Sequence, residues 1–536
     1  MACNVRPEDT TSTTDGGGEA EARKRGGGGC CSKQIWSYRC RRSSTIRMML
    51  AQAFVVLTSV SLVKAILLAI LFDETTESST QSWLRIPEIR AILPYLSYVV
   101  YPLTGSLLTG VQKRFDLVRR SLVVTWGATI GTSALLLLYE TDHISVSSAV
   151  PVFVTAYLVL TLALAVFHSN LVPLGLEQLE SASEQEVVTF LHAYLGLESF
   201  AYGIALLYPP LSLCDAADSS REAAVFYLSF ACAALVTIAT ALTLLCQDHV
   251  TIEEPDASNP LKRIFQVAWY SKRVHYAVQT NTSGVPFTTK EVDDVKSFFH
   301  FLPHFLPLGL VMATNTATGS TSPHLLLANT TSCTTAAWAG IVPFVAIPAF
   351  VLLYHIHNLS CRGHKCMKLM QRVILGASVM LVCVFVDLVL ALVQWEVTGW
   401  HLEQSTFLGL EVVVSVVGGV SVFLTASATV EFVCAQSSFP MKTVLVNLKY
   451  MADGLGTGVG VVLLATMFRL KGGVVWYLIA ATVSAILAVV FSWWNAKNHR
   501  MRRRDEKRYE DIMAERVSIF SSLTRSSVTP EPSSVV

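Results

Sequence analysis

The sequence predicts an all-α integral membrane protein, with twelve transmembrane helices arranged in two six-helix bundles. Of the 536 residues, 52% are hydrophobic and only 15% are charged, whereas a soluble chain carries about a quarter charged residues. The charged residues are bunched, and the apolar segments between them run for about twenty residues, which matches a hydrocarbon core of roughly 30 Å. Backbone groups in lipid must satisfy their hydrogen bonds internally, so these segments are predicted to be helices.

The predicted spans follow the apolar segments in chain order. They cover residues 48–72, 91–111, 117–139, 148–167, 188–207, 224–246, 298–318, 338–358, 370–394, 405–432, 443–469 and 473–496. Lys and Arg are concentrated in the loops on one side, including Arg47, Arg119 and Arg503. The positive-inside rule predicts that this side, with both termini, is cytoplasmic. We expect a multi-pass protein of the plasma membrane or of an endolysosomal membrane.

The longest internal hydrophilic stretch divides the predicted spans six and six. The predicted units are a disordered basic cytoplasmic tail (1–47), an N-terminal bundle (48–246), a cytoplasmic linker (247–297), a C-terminal bundle (298–496) and a basic cytoplasmic tail (497–536). This division is typical of transporters of the major facilitator type, whose substrate site lies between the halves at mid-membrane. The alternative is a polytopic protein of another kind that contains one long loop.

The stretch from Glu431 to Thr443 carries the most informative motif. It resembles the signature E-F-x-Y-x-Q-A-P-x-x-M-K-S at the end of the tenth helix in the proton-coupled oligopeptide transporter family, the peptide transporter branch of the major facilitator superfamily. The matching residues are Glu431, Phe432, Gln436, Met441 and Lys442, whereas Cys434 replaces the Tyr and Ser438 the Pro.

Four weaker similarities occur in the family's chain order. They begin at Asn170, which with Gln178 resembles N-x-x-x-x-G-x-D-Q, and continue at 259–263, at 291–303 and at Gln371-Arg372. The resemblance covers about residues 150–450. It implies the major facilitator fold, small peptides or peptide-like solutes as substrates, and protons as the coupling ion. It also makes Asn170 and Gln178 candidates for substrate binding or coupling.

Several working residues of that family are absent. Val422 stands where the family has the glutamate that binds a peptide N-terminus. On a provisional alignment, Ala53, Val56 and Leu57 replace the charged residues of the first helix, and residues 297–360 contain no Asp or Glu. A carboxylate relay needs groups that gain and lose protons within the membrane. These replacements argue against the family's coupling mechanism.

Ionisable residues within the predicted spans are candidates for function, because each intramembrane charge costs a few kcal/mol. They are Lys64, Glu198, Asp387, Glu411, Glu431, Lys449 and Arg469.

For several of these candidates the sequence leaves a second interpretation open. Lys64 either serves the site or snorkels to the outer boundary. Glu411 either marks an insertion in the alignment or is an independent acid near the outer end of its helix. Glu198 is predicted to face the central cavity, and Asp387 stays open between function and structure.

A second group of charges is predicted at the cytoplasmic end of the bundle. Glu431 and Lys442 are predicted to form a gate or an inter-helix pair there, and Lys449 to join them. His300 and His304 offer imidazoles as alternative proton carriers, although their position near the surface is ordinary for histidine.

Outside the spans the sequence offers a few peripheral sites. Asn329 is a glycosylation sequon in a predicted outer loop. The C-terminal residues 534–536 have the form of a PDZ ligand, and Cys214 and Cys333 in outer loops allow a bridge between the halves. No metal site and no cofactor other than protons is predicted.

The predicted function is a secondary transporter for small peptides or peptide-like solutes that works by alternating access. The alternative is a non-transporting receptor or scaffold derived from the same fold, which the missing acids and the Ser- and Thr-rich C-terminal tail favour. The sequence contains no nucleophile elbow, Walker loop or zinc helix, so no enzyme activity is predicted.

Overall fold

The computed structural model describes residues 44–63, 65, 114–141, 143–144, 146–179, 184–213, 218–246, 260–274, 287, 289–329, 342, 344–354, 368–394, 404–436, 439–467 and 473–498. Regular structure within these ranges is helical. The second predicted span, Lys64, Arg469 and the cysteines 214 and 333 lie outside them. So do residues 1–43 and 499–536 of the two predicted tails, with the predicted PDZ ligand. Nine of the described helices are long and apolar enough to cross a membrane.

The part of the chain before residue 247, called the first half below, contributes five described helices. They are α1 (Ser44–Val63), α2 (Arg114–Glu140), α3 (Val146–Gln178), α4 (Glu184–Leu213) and α5 (Asp218–Leu244). α2 packs along α3 and α5. Helix α3 runs eleven residues beyond the predicted span 148–167, because the segment that follows is still apolar and buried. This extension makes Asn170 and Gln178 part of the helix.

The predicted linker contains a helix of its own, α6 (Pro260–Val274). Proline is favourable at the first helical position, because its fixed φ suits a helix and because a backbone N–H at this position would have no partner within the helix. The next helix, α7, begins at Thr289, within the predicted linker, and runs to Asn329. Glu291 in its first turn complements the helix dipole and pairs with Arg263 of α6, with 3.2 Å between Oε1 and Nε.

The part of the chain from α7 onward, called the second half below, continues with five further helices. They are α8 (Phe344–Tyr354), α9 (Leu369–Gln394), α10 (Gln404–Gln436), α11 (Phe439–Met467) and α12 (Gly473–Asn498). Helices α7 and α11 cross at a glycine contact, where a Cβ on Gly456 would overlap the carbonyl group of Gly309. Small residues that let two backbones approach closely are the usual means of helix association in a bilayer.

The outer surface of the bundle is apolar. Phe230, Leu352 and Val382 are among many large hydrophobic side chains that are mostly exposed. Soluble monomers rarely expose contiguous apolar areas of this extent. Together with the span lengths, this surface identifies an integral, multi-pass membrane protein, whose outward side chains face lipid.

The two halves meet along α4. Gly196 allows α4 to approach α8, where a Cβ at this position would lie 3.3 Å from Cγ2 of Val351. Further along the same pair of helices, the rings of Tyr202 and Phe344 lie 5.0 Å apart. Helix α4 also contacts α10, and α3 contacts α11. The surfaces that face each other in this contact contain the candidate site.

Candidate functional site

Three buried charged or polar side chains connect the halves at one end of the bundle. Glu431 of α10 accepts two hydrogen bonds from Arg372 of α9, at 2.8 Å for Nη1 to Oε1 and 2.5 Å for Nη2 to Oε2. His192 of α4 approaches the same carboxylate, with 2.5 Å between Nε2 and Oε1. We call these three residues the latch. Because α4 belongs to the first half, the His192 contact crosses between the halves.

The latch is shielded from solvent. The side chains of His192, Glu431 and Arg372 are 0%, 6% and 8% exposed. Tyr354 and Phe423 pack edge-on against the imidazole at 5.4 and 5.3 Å between ring centroids. A buried carboxylate is costly unless it is paired and hydrogen-bonded, and the bidentate guanidinium meets that requirement.

Local structure positions each member of the latch. Arg372 lies in the first turn of α9, where the helix dipole disfavours a cation, so it depends on a nearby carboxylate. Glu431 lies near the end of α10, and His192 lies about two turns into α4. All three lie on the side that the distribution of basic residues predicts to be cytoplasmic.

A hydrogen-bond chain lies next to the latch and also crosses between the halves. The Tyr450 hydroxyl of α11 donates to the Tyr194 hydroxyl of α4 at 2.9 Å. Gln52 of α1 hydrogen-bonds Tyr194 as well, and its Nε2 lies 3.4 Å from Nδ1 of His168 on α3. Four helices therefore share one buried polar network.

A charged group lies one step further along the same helices. Lys449 and Asp453 form a buried ion pair on α11, with 2.6 Å between Nζ and Oδ2, and the ammonium also lies 4.4 Å from the Tyr450 ring centroid. Half-buried Glu198 of α4 lies within electrostatic range of both charges. We call Glu198, Lys449, Asp453 and the two hydrogen-bonded tyrosines the central layer.

The central layer can bind a solute that carries an amino group or both signs of charge. Glu198 lies six residues after His192, which places it about 9 Å deeper along α4, as expected for a mid-membrane site. Two carboxyl groups and one ammonium group supply partners for a cation and an anion. Oδ1 of Asp453 is buried without a hydrogen-bond partner among the described residues, so one acceptor is available to a ligand.

Two further carboxyl groups are buried inside the second half. Asp387 of α9 is 2% exposed and Glu411 of α10 is 3% exposed, and the two interact electrostatically. Neither oxygen of Asp387 has a hydrogen-bond partner in the described part of the chain. An unpaired buried carboxylate is strongly disfavoured, so this site suits a carboxyl group that carries a proton.

The remaining sequence candidates lie in different surroundings. Asn170 and Gln178 are buried in α3, and the Asn170 amide donates to the Val166 carbonyl at 2.8 Å. Gln436 and Lys442 are half-buried, at the end of α10 and near the start of α11. Asn329 is the last residue of α7.

The two candidate histidines lie close together on α7. The rings of His300 and His304 lie 6.3 Å apart, and His304 stacks on Phe432 at 4.9 Å between ring centroids.

The positions that replace the family's charged residues in α1 form an apolar contact. Ala53, Val56 and Leu57 cluster with Leu197 and Ala201 of α4. This surface packs two helices of the first half against each other and offers no group that could bind a proton.

Sequence reasoning missed several residues of the site. Asp453 lies four residues after Lys449, a spacing that puts both on one helical face, so this pair could have been found. His192 and Tyr194 carry no sequence signal, because their partners are distant in the chain. Tyr450 was missed for the same reason.

The comparisons with known proteins give structural matches alone. No family model and no curated protein matches the sequence. The crystal structure of the POT family transporter PepTSo matches with a TM-score of 0.58 at 14% identity, covering 85% of this chain and 99% of that one.

Two further POT family structures match over a similar range. An auto-inhibited POT family peptide transporter matches with a TM-score of 0.56 at 14% identity, over 85% of this chain and 97% of that one. A POT family transporter in complex with a thioalcohol-conjugated peptide matches at 0.55 and 11% identity, over 84% and 96%. These matches confirm the predicted fold class, and the chain has the all-α fold of the POT family transporters.

Proposed function

We propose that the protein is a secondary transporter of small peptides or peptide-like solutes and works by alternating access. The observation that carries this proposal is the latch, since the contact between His192 and Glu431 joins the two halves on the predicted cytoplasmic side. If the two halves rock about a central site, they must break this contact before the site can open on the predicted cytoplasmic side. On this proposal, the described conformation is the one closed on the predicted cytoplasmic side.

On this proposal, the latch holds the halves together in the closed conformation, and the central layer binds the solute. Opening removes a buried hydrogen bond to a charged group, worth about 1.5–3 kcal/mol. A solute can shift the equilibrium only by its differential affinity for the two conformations. Glu198 belongs to the first half and Lys449 and Asp453 to the second, so a solute that contacts both halves has such a differential affinity.

The substrate class is supported by the fold and by the charges of the central layer. POT family relatives of similar structure are described as peptide transporters. Val422 lies in an apolar cluster of the second half, so the ammonium group of a peptide needs another carboxylate. Within the central layer, the carboxylates of Glu198 and Asp453 serve this purpose, and Lys449 supplies the cation for a carboxylate.

Coupling to protons requires a carboxyl group that changes its protonation state during the cycle. Asp387 and Glu411 are the candidates within the second half, and Glu198 is the candidate at the site. The unpartnered oxygens of Asp387 favour it as a proton carrier. On this account, proton coupling uses different residues from those of the oligopeptide transporter family that the sequence resembles.

The test is uptake by purified protein in liposomes. Labelled di- and tripeptides are offered with and without an inward proton gradient, and the matched control is the variant Glu198→Gln. We expect saturable uptake that the variant loses, together with stimulation by the gradient. If neither peptides nor other small charged solutes enter under either condition, the transporter proposal is wrong and the receptor or scaffold alternative gains support.

A further inference from the structure

Helix α6 presents an aromatic and basic face to the surroundings. Phe265 and Trp269, one helical turn apart, are 71% and 69% exposed. Lys262 is exposed on the same face, and Lys272 and Arg273 belong to the last turn of the helix. The helix contains four basic and no acidic residues.

The opposite edge of α6 fixes the helix against the transmembrane bundle. Ile264 and Val267 are buried in a cluster with Val295 and Phe298 of α7. The ion pair between Arg263 and Glu291 supports the same contact, and Glu291 opens the membrane-spanning segment of α7. The aromatic face therefore lies at the level where the bundle enters the bilayer.

We propose that α6 is an interfacial helix that binds anionic phospholipid headgroups through its exposed face. Trp side chains are favoured at headgroup depth, and amphipathic helices that lie in that plane combine Trp, Phe or Leu with basic side chains. Lysine and arginine side chains are attracted to anionic lipids of the cytoplasmic leaflet. Helix α6 carries four basic residues and no acidic residue of its own, and only Arg263 is used in the ion pair with Glu291 described above. This net positive charge favours anionic headgroups over a protein surface as the occupant.

The position of α6 also gives lipid binding a route to the latch. The cluster that buries Ile264 and Val267 contains Phe432, the residue that follows Glu431. Lipid bound at α6 therefore contacts an element that packs against the end of α10. This consequence rests on the proposed function, whereas lipid binding itself does not.

The test is hydrogen–deuterium exchange of the whole protein in nanodiscs. One set of nanodiscs contains phosphatidylcholine alone, and the other contains added phosphatidylglycerol. We expect the amides of residues 260–274 to exchange severalfold more slowly with phosphatidylglycerol, and high salt to reduce this protection.

Two double variants and a control separate the contributions to binding. Phe265→Ser with Trp269→Ser, and separately Lys262→Gln with Arg273→Gln, should abolish the difference between the two lipids. Gln266→Ser, on the same exposed face, should keep it. Equal exchange of wild-type protein in both lipids would overturn the proposal, as would protection that neither double variant reduces or that appears only when a soluble protein is added.

Discussion

Replacing Glu431 by glutamine tests the latch at its centre. The carboxylate is 6% exposed and receives Arg372 and His192 at 2.5–2.8 Å. Removing one partner of a buried ion pair costs about 3–5 kcal/mol. Arg372 belongs to the same half as Glu431, so much of this cost is paid in both conformations. The His192 contact crosses the halves, and its loss, about 1.5–3 kcal/mol, falls on the closed conformation alone.

The loss of that contact predicts a measurable population shift. A change of about 1.5–3 kcal/mol corresponds to a roughly 10- to 150-fold change in the ratio of open to closed protein. Cys434 is a free, half-buried thiol one turn beyond Glu431, and it reports on opening at the latch. We expect Glu431→Gln to increase the rate at which a maleimide modifies Cys434, by a factor that approaches this change in the ratio of open to closed protein. The modification is measured on the peptide that contains Cys434 by mass spectrometry.

Two control variants separate opening from general destabilisation. His192→Ala removes the contact between the halves and should speed Cys434 modification as Glu431→Gln does. Arg372→Gln removes the pair within the second half, so it should lower thermal stability more than it changes the ratio of open to closed protein. Unchanged Cys434 reactivity in both Glu431→Gln and His192→Ala would refute the assignment of these residues as a latch.

Further predictions concern the other buried groups. Tyr450→Phe removes the 2.9 Å hydrogen bond between the halves and should favour the open conformation by about 1 kcal/mol in the same labelling assay; no change would argue against this bridge. Lys449→Met should lower the melting temperature, because it leaves Asp453 unpaired. The double variant Lys449→Met with Asp453→Leu should restore the melting temperature but not uptake. If the double variant recovers uptake, the ion pair is not part of the solute site. Asp387→Asn should preserve folding and abolish the stimulation of uptake by a proton gradient, a result that full stimulation would contradict. Gly456→Leu should reduce the yield of folded protein in size-exclusion chromatography, because its side chain has no space against α7, and a normal yield would disprove that close contact.

Hydropathy predicted the long apolar helices well. The spans 370–394 and 473–496 lie within a few residues of α9 and α12, because an apolar segment long enough to cross lipid has no alternative to a helix. Helix α6 was not predicted. Its apolar residues form one edge of a short polar segment, and they become buried only against α7.

The sequence identified several residues of the site, but it did not show which residues pair with each other. Intramembrane charge identified Glu198, Lys449 and Glu431 as candidates, since each is expensive to insert. The pairing of Glu431 with His192 joins residues 239 positions apart, and no local pattern carries that information. The fold decides such pairings by bringing α4 against α10.

The most direct test of the account is the distance between the halves on the latch side during transport. Spin labels are attached through p-acetylphenylalanine at Thr189 of α4 and at Lys368, which precedes α9, because both positions are exposed and this chemistry leaves the native cysteines unlabelled. The account predicts a short distance in the absence of solute, and a second, longer population when a transported peptide or Glu431→Gln is introduced. A single unchanged distance under conditions in which uptake is measured would contradict it.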